Sequence, residues 1–90
     1  MSHRRQGDPP TARQIECLRK ISEHIQSRGF PPTQRELAAA LGKTKALSTN
    51  TIVEMLGSMT RQGLIQKIPM ISRGIIITPL GQSYLQGETP

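Results

Sequence analysis

Cysteine, long apolar runs and acidic side chains are all scarce in this sequence. The single cysteine, Cys17, cannot form an internal disulfide, and no second Cys or His stands near it at the spacing of metal ligands. Neither a disulfide-stapled secreted scaffold nor a zinc site is therefore supported. No apolar run approaches the roughly 20 residues that cross a bilayer, and residues 1–10 contain no hydrophobic signal-peptide segment. We predict a cytoplasmic protein with no membrane partner and no bound metal.

Catalytic arrangements of side chains are missing as well. Asp8 is the one aspartate, the glutamates are scattered along the chain, and His3 and His24 have no placed partner. Acid–base or nucleophilic catalysis needs such groups in pairs or triads. Cys17 lies near an apolar helical stripe, which indicates a small core residue and not a nucleophile. We therefore predict that the chain is not an enzyme and that it binds no cofactor.

Positive charge, by contrast, is abundant. The 90 residues suit one small domain, and 12 Lys and Arg against 6 Asp and Glu give a formal charge of +6. This excess suits a polyanionic partner such as DNA, although a solvated surface or an anionic membrane is compatible with the same charge. Residues 1–10 are polar and contain Arg4 and Arg5. They are predicted to form a flexible basic arm that either contacts phosphate or stays a solvated tail.

Local signals predict three helices in the first two thirds of the chain. Thr11 with Gln14, and Thr33 with Glu36, have the spacing of capping boxes, which start helices one and two. Helix three has alternative N-caps in residues 48–50. Apolar residues recur at helical spacing in each segment, and each helix ends at a glycine. These glycines are Gly29, Gly42 and Gly63.

A β-hairpin follows the helices. Residues 64–68 and 74–77 are apolar and β-branched, and the turn between them starts at Pro69. The Thr78-Pro79 dipeptide then starts a short final helix that runs to about Leu85.

This order of elements predicts a mainly α fold with a small β-hairpin, namely a winged helix-turn-helix. Its three-helix core, wing and short C-terminal helix occupy residues 11–85, and residues 86–90 form a frayed tail. A helix of about 10–12 Å diameter fits the major groove of DNA. The polar side of the helix that starts near Ser48 is therefore predicted to bind DNA there. Gly57 inside the same helix predicts a close helix crossing.

Polar side chains on helix three suit base edges and phosphates. Opposite its apolar stripe lie Thr51, Glu54, Ser58 and Arg61, with Asn50 near the start. Asn pairs with adenine, Glu accepts from the cytosine amino group, and Ser or Thr serves either base or phosphate, although an ordinary solvated face has the same composition. The cations suit the DNA backbone. They are Arg13 and Arg35 in the first turns of helices one and two, Lys43 and Lys45 before helix three, and Lys67 and Arg73 beside the hairpin tip.

Several short motifs together resemble one known family. They are Thr11-Ala12-Arg13-Gln14, Pro31-Pro32-Thr33, Glu36, Leu41-Gly42, Arg61-Gln62-Gly63-Leu64-Ile65 and Ser72-Arg73-Gly74-Ile75. Over residues 11–77 the chain resembles the N-terminal DNA-binding domain of LexA-type repressors. The resemblance implies a sequence-specific, double-stranded DNA-binding transcriptional regulator, a repressor located at the nucleoid. By the resemblance, Ser48, Asn50, Thr51 and Glu54 occupy base-reading positions and the wing contacts the DNA backbone. From its place at the start of helix three, Thr49 is also predicted to read bases. From their places on helix three and the wing, the predicted backbone contacts are Ser58, Arg61, Lys67, Ser72 and Arg73.

Departures from that family leave the operator sequence open. The turn between helices two and three is longer, Val53 and Glu54 stand where the family has paired acidic residues, and the wing tip reads Pro69-Met70-Ile71 instead of small residues. LexA repressors also continue into a dimerising, self-cleaving domain with a Ser-Lys pair and a scissile Ala-Gly bond. No Ala-Gly dipeptide occurs here. We therefore expect a stand-alone DNA-reading domain that self-cleavage does not switch.

Two questions about partners stay open from the sequence. The winged helix is alternatively a protein-interaction module, such as a co-regulator or antirepressor, that uses Met70 and Ile71 at its apolar wing tip. Salt separates the two interpretations, because phosphate contacts weaken with salt and apolar contacts do not. The chain is also expected to form a homodimer on a palindromic operator, either through residues 75–85 or only on the DNA.

Overall fold

The computed structural model describes residues 9–42, 47–71 and 73–87. The elements are α1 Ala12–Arg28, α2 Gln34–Leu41, α3 Thr49–Arg61, β1 Ile65–Lys67, β2 Ile75–Ile77 and α4 Pro79–Leu85. This order confirms the predicted winged helix-turn-helix, with a three-helix core, an antiparallel hairpin as the wing and a short closing helix. The arm predicted over residues 1–10 and the tail predicted over residues 86–90 lie mostly outside the described residues, so the domain boundaries stay predictions.

Helices α1 and α2 begin at the predicted capping boxes. Thr11 Oγ1 accepts from the Gln14 N–H at 3.2 Å, and Gln14 Oε1 accepts from the Thr11 N–H at 3.0 Å. Thr33 and Glu36 exchange the same two bonds at 3.1 and 2.8 Å. Helix α1 ends at Gly29, whose φ of 85° is a left-handed conformation that glycine adopts without strain. The Gly29 cap and the Thr33 capping box therefore fix the two ends of the segment that connects α1 to α2.

Helix α3 starts at Ser48, one of the predicted alternative N-caps. Its Oγ accepts from the Thr51 N–H at 3.2 Å. The strands of the wing have three residues each, which is shorter than the predicted runs. The register pairs are Ile65 with Ile77, Gln66 with Ile76 and Lys67 with Ile75. Because an isolated two-stranded hairpin is marginally stable in water, the wing depends on its contacts with the helices.

One apolar core joins the helices to the wing. Its buried side chains are Cys17, Leu18, Ile21, Leu37, Ala38, Leu41, Ile52, Leu56, Met59, Leu64, Ile65 and Ile75. Helix α4 covers one edge with half-buried Leu80, Tyr84 and Leu85. The fully buried stripe of α3 turns the opposite side of that helix outward. In the described part of the chain, no helix has the length and apolar character of a membrane span.

The thiol of Cys17 is fully buried, as predicted for a core residue. Burial, with a smaller contribution from the negative charge of Glu16, raises the pKa of Cys17 to about 12. At neutral pH the thiol is therefore uncharged, and a neutral, buried thiol is a poor nucleophile.

Gly57 does not mark a close helix crossing, so that prediction is wrong. A Cβ atom at this position would meet only Arg61 Nη1, at 3.6 Å, among the described residues outside its own helical turn. Packing does require a glycine at Gly81 in α4, where a Cβ atom would overlap the carbonyl oxygen of Leu64, and at Gly74, where a Cβ atom would lie 2.9 Å from the Ile68 carbonyl oxygen. Helix α4 therefore lies directly against the chain that leads into β1.

Candidate nucleic-acid interface

A groove of about 560 Å³ opens between the wing and the first turns of α2 and α3. This wing groove is lined by Thr33, the N-cap of α2, by Gln34 and Arg35 of α2, by Thr49 of α3, and by residues 67–71, Gly74 and Ile75 of the wing. The sequence analysis missed Thr33 and Gln34 as site residues. Their capping box gives their place at the start of α2, but no local signal shows that the wing approaches them.

The wing groove is positively charged. The ionisable side chains in its described lining are Arg35 and Lys67, and both are exposed. The N-termini of α2 and α3 also open on it, and each brings the partial positive charge of a helix start. Cationic side chains and helix N-termini together bind phosphate oxygens well. The structure thus places two of the predicted backbone contacts where one strand of a nucleic acid can lie.

The start of α3 presents an exposed polar face beside the wing groove. Thr49, Asn50 and Glu54 are exposed there. Val53, which was not among the predicted site residues, lies among them and is 43% exposed. Ser48 is exposed too, but its hydroxyl caps the helix. It lies 2.8 Å from the hydroxyl of the half-buried Thr51. The side chains best placed for base contact are therefore those at positions 49, 50 and 54.

Ser58 faces α1, which argues against its predicted contact with the DNA backbone. Its Oγ accepts from Gln14 Nε2 at 3.4 Å and donates to Gln62 Oε1 at 3.2 Å. Both glutamines are buried. The start of α1 covers this part of α3, and buried polar groups need partners inside the protein. The hydroxyl of Ser58 therefore serves the packing of α1 on α3.

Arg13 and Arg61 are exposed but do not line the wing groove. Arg61 ends α3, about 18 Å along the helix axis from Thr49 at 1.5 Å per residue. The bond between Gln14 and Ser58 places the first turn of α1, with Arg13, beside this far half of α3. Their predicted phosphate contacts stay predictions, and they concern a different stretch of DNA backbone from the one at Lys67.

The guanidinium of Arg73 is directed to the protein, although the sequence predicts a phosphate contact. It donates to Glu36 Oε1 at 2.7 Å, to Glu36 Oε2 at 3.3 Å and to the Pro31 carbonyl at 2.9 Å. Hydrogen bonding from Arg73, followed by the bond from the Thr33 N–H, lowers the pKa of Glu36 to about 2. Glu36 is therefore ionised at neutral pH and compensates the charge of Arg73.

The wing tip is apolar and exposed. Met70 is fully exposed and has a φ of 66°, and the neighbouring Ile71 is 57% exposed. Large apolar side chains in such a position are compatible with a protein or nucleic-acid partner. The predicted protein contact through Met70 and Ile71 stays a prediction.

Lys43, Lys45 and Ser72, which are predicted to contact the DNA backbone, lie outside the described residues. Within the described ranges, no group of three or more His, Cys, Asp or Glu side chains could hold a metal ion.

Comparisons with known proteins point to one family. The family model of the LexA DNA-binding domain matches residues 7–74. The LexA repressor of Anaeromyxobacter sp. (strain Fw109-5) is 39% identical over 80 residues, which are 89% of this chain and 33% of that protein. The LexA repressor of Herminiimonas arsenicoxydans is 42% identical over 71 residues, 79% of this chain and 31% of that protein. The chain spans about a third of the length of the curated relatives it matches.

Proposed function

The chain belongs to the LexA DNA-binding domain family, and on this basis we propose that it is a sequence-specific, double-stranded DNA-binding transcriptional repressor. The observation that carries the proposal is the exposed polar start of α3 beside the positively charged wing groove. Helix α3 lies in the major groove, and its first two turns approach the base edges.

The two sets of contacts have different tasks. Asn50 and Glu54 carry the amide and carboxylate groups that distinguish adenine and cytosine in the major groove. Arg35 and Lys67 bind phosphates of the strand that runs through the wing groove, and they fix the register of α3 without reading sequence. A repressor that acts by occupying its operator needs no further chemistry.

Asn50→Ala and Glu54→Ala should each relax the preference for one base position at a cost of about 1–3 kcal/mol. The loss should be confined to that position, because each side chain reads one base pair and leaves the phosphate contacts unchanged. Selection of bound sequences from a random duplex pool, repeated with each variant, measures the preference position by position.

Glu23→Ala is the matched control for this experiment. Like Glu54→Ala, it removes one negative charge, but from an exposed glutamate of α1 that does not line the wing groove. Its selected sequences should equal those of the parent chain. If both α3 variants select the parental sequence unchanged, α3 is not the reading helix.

We further propose that two copies bind one palindromic operator at the bacterial nucleoid in the cytoplasm. One small winged helix contacts little DNA, and two half-sites supply the affinity that an operator needs. Light scattering should give two chains on a duplex with two half-sites. On a duplex with a single half-site, one chain indicates pairing only on the DNA, and two chains indicate a dimer formed through residues 75–85. A complex of one chain with the two-site duplex contradicts the dimer.

A protein-interaction module is the second candidate function. It is favoured by the exposure of Met70 and Ile71, which is 102% and 57%. In that case the partner is a protein with an apolar patch, and association should not weaken with salt.

A further inference from the structure

Arg73 joins the wing to the segment that links α1 to α2. Its Nη1 donates to Glu36 Oε1 at 2.7 Å and to the Pro31 carbonyl at 2.9 Å, and Nη2 donates to Glu36 Oε2 at 3.3 Å. Its Cζ lies 4.5 Å from the centre of the Phe30 ring. The planar guanidinium has one well-defined orientation, because it donates two hydrogen bonds to a carboxylate and one to a carbonyl and lies beside an aromatic ring.

The partner of Arg73 is itself held in place. Glu36 Oε1 accepts from the Thr33 N–H at 2.8 Å as part of the capping box of α2. His24 approaches from α1: its Nε2 lies 3.6 Å from Glu36 Oε1, and its Nδ1 donates to the Phe30 carbonyl at 2.9 Å. The Glu36 carboxylate, although 38% exposed, is therefore held by contacts from α1, from the N-cap of α2 and from the wing.

On the wing side, Arg73 adjoins the bonds that close the hairpin. The next residue, Gly74, accepts from the Ile68 N–H at 2.7 Å and donates to the Ile71 carbonyl at 3.1 Å. The tip beyond the strands is solvent-exposed, with Ile68, Met70 and Ile71 at least 40% exposed. The hydrogen bonds of the Arg73 guanidinium thus connect the turn of the wing to the helical core.

We propose that Arg73 is a positioning residue for DNA binding, which holds the wing at a set distance from α2 and so sets the width of the wing groove between Lys67 and Arg35. This inference rests on the proposed function, but its structural part does not depend on DNA. Arg73 contributes no net charge to the interface, because Glu36 neutralises it. Its effect on affinity comes through the place of the wing.

Arg73→Gln and Glu36→Gln should each weaken binding of the selected duplex about tenfold at every salt concentration, since each removes a charge-assisted bond that fixes the wing. For Arg73→Gln the slope of log affinity against log salt should not change, because Arg73 contacts no phosphate and releases no counterion. Lys67→Gln, a matched loss of one cation on the same hairpin, should lower the magnitude of that slope by about 0.9. Fluorescence anisotropy titrations between about 50 and 200 mM salt measure both quantities.

Glu36→Gln separates positioning from direct contact. If Arg73 bound phosphate, removal of the carboxylate would free the guanidinium and strengthen binding, whereas positioning predicts weaker binding. Glutamine also serves as the third helical residue of a capping box, so α2 should still begin at Thr33. The double variant should bind no more weakly than Arg73→Gln, because Arg73→Gln already removes the bonds to Glu36 together with those to Pro31 and Phe30. Tighter binding by Glu36→Gln, or a slope change by Arg73→Gln equal to that of Lys67→Gln, overturns the proposal.

Hydrogen exchange tests the same proposal in the free protein. In both variants the Ile68 amide, which bonds to Gly74, should exchange faster than in the parent chain, while the Leu56 amide inside α3 should not change. Unchanged exchange at Ile68 overturns the positioning role even if DNA binding is lost. A parent chain that ignores every duplex in dilute buffer contradicts the proposed function alone, and the exchange result then decides the role of Arg73 in the wing.

Discussion

Raising the salt concentration from about 50 to 200 mM should weaken binding of the selected duplex roughly a hundredfold for each bound domain. Arg35 and Lys67 in the wing groove, with Lys43 and Lys45 ahead of α3 in the sequence, supply four of the predicted phosphate contacts, and Arg13 and Arg61 would increase the loss. Each phosphate that a cation neutralises releases counterions and adds about 0.9 to the slope of log affinity against log salt. Four contacts give a slope near 3.6, and a fourfold rise in salt then produces the expected loss.

Single substitutions measure how much each cation contributes to this slope. Arg35→Gln should lower its magnitude by about 0.9, as expected for a cation that contacts one phosphate. Lys20→Gln is the control, because Lys20 lies on α1, pairs with Glu23 at 3.8 Å and does not line the wing groove. The slope of this variant should equal that of the parent chain. If salt does not weaken binding, the cations do not contact phosphates, and the result favours an apolar protein contact through Met70 and Ile71.

The local elements of this fold were predictable because their signals lie within a few residues of each other. The capping boxes at Thr11 and Thr33 each need a partner three positions later, and both form as predicted. The buried stripe of α3 follows from helical spacing. Strand lengths were less predictable, because pairing between short strands depends on how the hairpin packs and not on β propensity alone.

The candidate site was predictable only in part, because contacts between distant segments decide which polar groups remain exposed. Ser58 and Arg73 have the residue types of phosphate contacts, yet their partners Gln14 and Glu36 lie 44 and 37 residues away. Lys67 and Arg35 carry the same signal in the sequence, and the fold leaves both of them exposed in one groove. A cation's residue type thus indicates what it can bind, and its tertiary partner decides whether it is available.

Gly81→Ala should destabilise the fold by about 3 kcal/mol, the upper part of the range for overpacking a buried site. The added methyl group would overlap the Leu64 carbonyl oxygen and lie 2.9 Å from Ile77 Cγ2. The same carbonyl accepts from the Thr78 N–H at 3.1 Å and from the Thr78 hydroxyl at 2.9 Å, so the backbone there cannot move without breaking the cap of α4. Urea unfolding followed by circular dichroism measures the loss as a lower midpoint.

Gly57→Ala is the matched change and should have the opposite sign. Its methyl group meets only the flexible end of Arg61, at 3.6 Å among described atoms, and alanine favours a helix interior by about 1 kcal/mol over glycine. The two variants differ from the parent by one methyl group each, so hydrophobicity and charge cannot explain a difference between them. Equal stabilities would mean that α4 does not pack against the entry to β1. The wing would then lack the support of α4 behind it, and its place beside α2 would depend on the buried side chains of Leu64, Ile65 and Ile75 and on Arg73.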